Sequence, residues 1–261
     1  MAPVRELVLV TGCSDGGIGS ELCKQYAAKG CKVYATARRI EAMSSLTHPN
    51  IVRARMDVTD EASIKAVVDE MIEKEGRIDI LVNNAGLTCS GPIAEVDLER
   101  IQRTYDTNVF GIIRAARIVI PHMAARNSGA MSILGRSWGQ RIYASSKAAV
   151  RALSETLYME CLPLGISVVF VNTGGARTNI YEEVIREEFN PKRVEQGSPP
   201  EDIARVVVEK SIAAKPDRYI AVGAGSFLVD NILPWLPRGW LLRTLWNFMV
   251  EKKKVAVDKS K

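Results

Sequence analysis

The sequence predicts a doubly wound α/β fold, a parallel sheet with helices on both faces. Three observations carry that expectation. Short apolar runs alternate with stretches of helical spacing along most of the chain. The first run leads straight into a glycine-rich turn and a helix. The polar motifs all fall just after a strand or at the start of a helix, where ligands bind in such sheets, beyond the carboxyl ends of the strands.

Taken in order, Leu7 to Val10 reads as strand one and Glu21 to Lys29 as a helix. Lys32 to Ala37 reads as strand two, Ile51 to Met56 as strand three and Ala62 to Glu75 as a helix. Ile78 to Val82 is strand four. Val96 to Ala125 reads as one long helix or two, ending near Pro121. Ala130 to Leu134 is strand five, Tyr143 to Cys161 a helix, and Ser167 to Asn172 strand six. Strands alternating with helices imply parallel pairing, and right-handed crossovers then cover both faces.

Composition narrows the function. At 261 residues, one domain can bury a full core. Hydrophobic content of 47% and charged content of 25% are those of an ordinary globular chain. A net charge of +5, with no zinc spacing and no basic-aromatic stripe, does not argue for nucleic acid. Five scattered cysteines point to free thiols in a reducing compartment. Two histidines, His48 and His122, make a histidine-based triad or metal site a poor expectation. No N-terminal targeting signal precedes the first strand, and no uninterrupted apolar stretch of about 18 residues predicts a membrane span.

The most informative stretch is Tyr143-Ala144-Ser145-Ser146-Lys147. A Tyr and a Lys four apart near a helix start share one face. The ammonium stabilises the phenolate, so the phenol is expected to fall from about 10 toward working pH. Tyr143 is then a general acid/base for a carbonyl/alcohol pair. The spacing alone is common on exposed helices, and the other motifs give it weight.

Thr11-Gly12-Cys13-Ser14-Asp15-Gly16-Gly17-Ile18-Gly19 joins the first strand to the first helix. Its glycines let backbone approach a pyrophosphate at a helix N-terminus. Strand two ends in Ala37-Arg38-Arg39, with guanidinium groups where an acidic residue would suit the ribose hydroxyls of NAD. That favours a 2′-phosphate, hence NADP. Asp57 either accepts from an adenine amine or caps the helix that follows. Asn83-Asn84-Ala85-Gly86 closes strand four, its amides able to tie neighbouring strands. Asn108, inside a helical stretch, is expected to kink the helix and bind water, since Asn is a poor helix former. Thr173-Gly174-Gly175-Ala176-Arg177-Thr178 can wrap the nicotinamide end.

Together these motifs resemble the short-chain dehydrogenase/reductase family, from about Leu7 to Ile180. The resemblance implies a Rossmann-type domain with NADP(H) bound at Gly12, Ser14, Gly16, Ile18, Arg38, Asp57, Asn84 and Thr178, and with Tyr143 and Lys147 also touching the cofactor. It implies catalytic roles for Tyr143, Lys147 and Asn108: Tyr as proton donor, Lys as its tuner and ribose ligand, Asn as holder of a relay water. Within the family, Thr-Gly-Cys-Ser-x-Gly-Gly-Ile-Gly, Ala-Arg-Arg and Thr-Gly-Gly look like the branch of NADPH-dependent 1-acyldihydroxyacetone-phosphate reductases. That branch implies reduction of a lipid ketone to 1-acylglycerol 3-phosphate, at the cytosolic face of the endoplasmic reticulum or on lipid droplets. A steroid or retinol reductase is the neighbouring alternative, with a cytoplasmic location the alternative placement.

One family feature is displaced. The resemblance implies a catalytic Ser about a dozen residues before the Tyr, and the segment from Gly129 to Tyr143 is about six residues short. Ser137 on a shortened loop, or Ser132 inside the strand, is the available hydroxyl. Without either, the chain becomes an NADP-binding relative of impaired activity, acting in regulation or as a dimer partner.

On this reading residues 1–225 form the NADP-binding domain and residues 226–261 an apolar and basic tail. Gly239 to Val250 would form a helix with a wide apolar face, and its Trp residues and Lys252 to Lys254 suit a membrane interface. Packing onto the core or against another subunit of a homo-oligomer is the competing use of the same face.

Overall fold

The computed structural model describes residues 6–89, 91–135, 141–178, 197–213 and 216–226. Its strands are β1 (Leu7–Thr11), β2 (Lys32–Ala37), β3 (Ile51–Arg55), β4 (Ile80–Asn83), β5 (Gly129–Gly135), β6 (Ile166–Thr173) and β7 (Tyr219–Val222). Its α-helices are α1 (Ile18–Ala28), α2 (Glu61–Glu75), α3 (Leu98–Tyr105), α4 (Gly111–Ala124), α5 (Arg141–Cys161) and α6 (Pro200–Ser211). The sheet runs β3-β2-β1-β4-β5-β6-β7. Each neighbouring pair is parallel. The order reverses between β1 and β4, the crevice where doubly wound sheets hold their ligands.

Two apolar layers flank the sheet. On one face Val8, Val10, Val82 and Val169 pack under Leu22 and Tyr26 of α1 and Ile203 and Val207 of α6. On the other, Leu9, Leu81, Met131, Ile133 and Phe170 pack under Val68 of α2, Val119 of α4 and Val150 of α5. Strand residues alternate between the two layers, as period-2 geometry requires. Burying one such side chain contributes about 1.5–3 kcal/mol, so these layers fix which strand faces reach which helices.

Helix ends follow local chemistry. Asp60 caps α2 through a 2.9 Å bond from the Ala62 N–H, and Gly76 ends it in the left-handed region at φ 76°. The expected Val96–Ala125 helix is divided. A π-turn at Asp106–Phe110 separates α3 from α4. Helix α1 starts at Ile18, earlier than its apolar spacing suggests, because the glycine turn feeds directly into it. Helix α6 and strand β7 go beyond the elements expected from the sequence. Pro200 in the first turn and Glu201 and Asp202 beside it were legible start signals for α6. β7 is a four-residue edge strand with Tyr219 exposed, too short for its pattern to stand out. The expected tail helix, Gly239 to Val250, lies outside the described residues.

Candidate active site

The C-terminal ends of β1, β4, β5 and β6 meet along one rim. Thr11, the last residue of β1, is 1% exposed, and its hydroxyl accepts from the Asn84 N–H at 3.0 Å and the Ala85 N–H at 2.9 Å. Asn84 answers with Nδ2, which donates to Thr11 O and Gly12 O at 2.8 Å each. The glycine turn is thereby stapled to the Asn-Asn-Ala-Gly segment. At Gly12, φ is +73° and an added Cβ would sit 2.7 Å from Ala85 Cα, so glycine is needed for both backbone and space. Thr11 is a residue that sequence reasoning missed; a hydroxyl ending an apolar strand beside glycine was its signal.

Helix α1 begins beyond that turn at Ile18, with Gly17 as its N-cap and no side chain capping its first amides. Gly16 has φ 74°. An uncapped helix N-terminus behind a left-handed glycine is a donor set suited to a pyrophosphate. Ser14 is exposed on the same turn, and Ile18 is partly buried where the helix starts. Arg38 and Arg39 follow β2 and are exposed. The glycine turn and the helix start are a fit for the phosphates of a dinucleotide.

Asp57 is occupied locally. Its Oδ1 accepts from the Thr59 N–H at 2.9 Å and the Thr59 hydroxyl at 2.8 Å. The helix cap is Asp60 instead, which removes capping from the two expected uses of Asp57. Thr178 is partly buried after the Gly174-Gly175 segment.

Around α5 the polar groups converge. Lys147 is 5% exposed, its Nζ donates to Leu134 O at 3.0 Å, and it lies 5.7 Å from the centroid of the Tyr143 ring. Burial pushes the Lys147 ammonium down to about 8. Asn108 is fully buried on the π-turn. Its Oδ1 accepts from the Leu87 N–H at 2.7 Å, and its Nδ2 donates to Leu87 O at 2.9 Å and to the Ser146 hydroxyl at 3.0 Å. Ser146 passes the chain on to Tyr143 O at 2.8 Å. The π-turn is what turns Asn108 inward, a common use of such bulges. The Asn108 side chain is engaged by protein groups on both its nitrogen and its oxygen. Gly86 closes the group: a Cβ there would lie 3.4 Å from Asn108 Oδ1 and 3.7 Å from Lys147 Nζ. Ser146 is a second missed residue, hidden in a run of small helix residues.

The two candidate hydroxyls part ways. Ser132 pairs with Val82 and Val169, both in the layer under α1 and α6. Its side chain therefore faces away from α5 and Tyr143. It is fully buried, and its Oγ has no hydrogen-bond partner among the described residues. Ser132 is excluded as the missing hydroxyl by the sheet's alternation. Ser137 lies outside the described residues, in the stretch 136–140 that joins β5 to α5.

A doubly wound parallel sheet, a glycine turn feeding an uncapped helix, and a buried Lys beside a Tyr are the features of a dinucleotide-binding oxidoreductase fold. The family described as short chain dehydrogenase matches residues 6–188. The chain belongs to that family. It is 36% identical over 183 residues to the NADPH-dependent 1-acyldihydroxyacetone phosphate reductase of Schizosaccharomyces pombe, covering 67% of this chain and 62% of that protein's own length. It is 39% identical over 223 residues to the short-chain dehydrogenase ptmH of Penicillium ochrochloron, covering 82% of this chain and 77% of that protein. Among solved structures, a short-chain dehydrogenase from Streptomyces avermitilis superposes with a TM-score of 0.78 at 29% identity, covering 94% of this chain and 97% of that one.

Proposed function

We propose that the protein is an NADPH-dependent reductase of a lipid ketone, converting 1-acyldihydroxyacetone phosphate to 1-acylglycerol 3-phosphate. The observation that carries the reading is that the Tyr143–Lys147 pair and the exposed Arg38–Arg39 pair follow C-terminal strand ends of the same sheet. Similarity to the fission-yeast reductase supports the substrate class.

When bound, the nicotinamide supplies a hydride to the carbonyl carbon. Tyr143 donates its proton to the carbonyl oxygen as charge builds there. Lys147, held by Leu134 O, is mostly protonated at neutral pH because its pKa is about 8. Its charge favours the phenolate left after transfer. Asn108 fixes the geometry by joining Leu87 to Ser146 and the first turn of α5. Ser137 would hold the carbonyl oxygen, a contribution that costs about 2.7–4 kcal/mol of barrier when a donor of this kind is lost. Gly12, Ser14, Gly16, Ile18, Arg38, Asp57, Asn84 and Thr178 would line the dinucleotide, and exposed Arg177 would meet a substrate phosphate.

Residues 1–225 act here as the catalytic domain. The tail, from residue 226 onward, would settle at the cytosolic face of the endoplasmic reticulum or on a lipid droplet, where an acyl substrate partitions. No helix among the described residues is long and apolar enough to cross a membrane.

A second reading is favoured by the placement of Ser132 away from Tyr143. In it the chain binds NADPH but turns over poorly. Following NADPH consumption with 1-acyldihydroxyacetone phosphate, a steroid ketone and a retinal separates the readings. Turnover of the acyl phosphate that is lost in Tyr143→Phe supports the first. NADPH binding with no turnover of any ketone supports the second, and preference for a steroid or retinal moves the substrate assignment.

A further inference from the structure

We propose that Asp15 is a positioning residue for cofactor choice: its carboxylate holds the Arg38–Arg39 turn against the glycine-rich turn, so that the guanidinium pair is set for a 2′-phosphate. The inference rests on the NADPH reading above.

The contacts are specific. Asp15 Oδ2 accepts from the Ser44 hydroxyl at 2.8 Å, and Oδ1 accepts from the Ser45 hydroxyl at 2.6 Å. The Ser45 N–H reaches both oxygens, at 3.3 and 3.2 Å. The Asp15 N–H donates to Ala42 O at 2.7 Å, closing the same gap from the backbone. Between these anchors and β2 lie Arg38, Arg39 and the 3₁₀ turn Ile40–Met43, which starts from Arg39. At the near end the Cys13 N–H donates to Thr36 O at 2.9 Å. The arginine-bearing segment is thus tied to the glycine turn on both sides of the two arginines.

The charge makes the arrangement informative. A carboxylate on a phosphate-binding turn would repel a dinucleotide that it faced. Here both oxygens are turned onto serine donors, and those donors hold the Asp15 carboxyl below its ordinary value against a desolvation effect that works the other way. Long arginine side chains on an untethered turn would sample many positions, and fixing their backbone lowers the ordering needed on binding. NADH, which lacks the 2′-phosphate, gains nothing from that fixation.

The test is titration of the full chain with NADPH and with NADH, in the wild type and in Asp15→Ala, Ser44→Ala/Ser45→Ala and Arg38→Ala. Asp15→Ala and the double serine variant should each weaken NADPH by roughly tenfold, the scale of a charge-assisted hydrogen bond, with NADH held within about twofold. The serine variant leaves the carboxylate charge in place and decides the matter if Asp15→Ala does not fold. Unchanged or tighter NADPH binding in both variants overturns the inference, because the carboxylate then only repels. Parallel loss of NADPH and NADH also overturns it, because Asp15 then supports the whole turn. If the wild type shows no preference for NADPH, or Arg38→Ala keeps that preference, the NADPH reading itself has failed.

Discussion

Lys147 Nζ sits 5.7 Å from the centre of the Tyr143 ring while bonded to Leu134 O at 3.0 Å. The carbonyl at the end of β5 thus anchors the ammonium from below while the phenol lies one helical turn away on α5. Position four residues on brings the pair together, and the strand end holds it still. The relationship combines local helix geometry with a contact that only the folded sheet provides.

Replacing Tyr143 with Phe removes the proton donor and leaves the ring. Reductase turnover is expected to fall by about 10²–10⁴-fold. NADPH affinity, measured by fluorescence titration, should change little, since the dinucleotide contacts attributed to the glycine turn remain.

Lys147 makes stability depend on pH. Its pKa falls from 10.5 unfolded to about 8 folded, through desolvation. Below about pH 8 both states carry the proton and the folded state bears the full cost of the buried charge. Between about 8 and 10.5 the unfolded state binds more protons, so this cost shrinks as pH rises. The full effect is roughly 3 kcal/mol at 1.36 kcal/mol per unit, less about 1 kcal/mol for the hydrogen bond to Leu134. Lys147→Met should therefore raise stability at neutral pH, with the gain vanishing as pH approaches 10.5. Urea denaturation across that range checks it, and activity should be lost throughout.

Asn108→Ala leaves the Leu87 N–H and C=O, on a partly buried residue, without their side-chain partner. A loss of about 1 kcal/mol, the low end for polar groups left without a partner, is expected, read as a lower urea midpoint with unchanged slope. Turnover should fall beyond what partial unfolding explains, because α5 loses its tie to the loop after β4. Asn108→Asp keeps one acceptor and should recover part of the stability.

Gly12→Ala meets two obstacles, a φ of +73° and a Cβ 2.7 Å from Ala85 Cα. The strain alone costs about 1–3 kcal/mol. NADPH binding should weaken sharply in the same titration, since the turn must move away from Ala85 to admit the methyl group. Gly30→Ala is the control: φ is also positive, at +84°, but nothing lies within 4 Å of the added Cβ. It should lose stability without a change in cofactor affinity.

By itself the sequence determined the strand-helix alternation, the glycine turn, the basic pair after β2 and the Tyr143–Lys147 spacing. Each is local, written in periods of two and 3.6 residues or in a few adjacent side chains. Tertiary structure decided what no local pattern carries. It turned Ser132 toward α1 and α6 because Val82 and Val169 beside it face that layer. It made Asn108 a buried clamp on Leu87 and Ser146, gave the cap of α2 to Asp60 rather than Asp57, and set Thr11 under Asn84. These outcomes depend on partners 21 to 73 residues away, or on which of two nearby acids meets the helix, and long-range register is fixed only when both apolar layers close on the sheet.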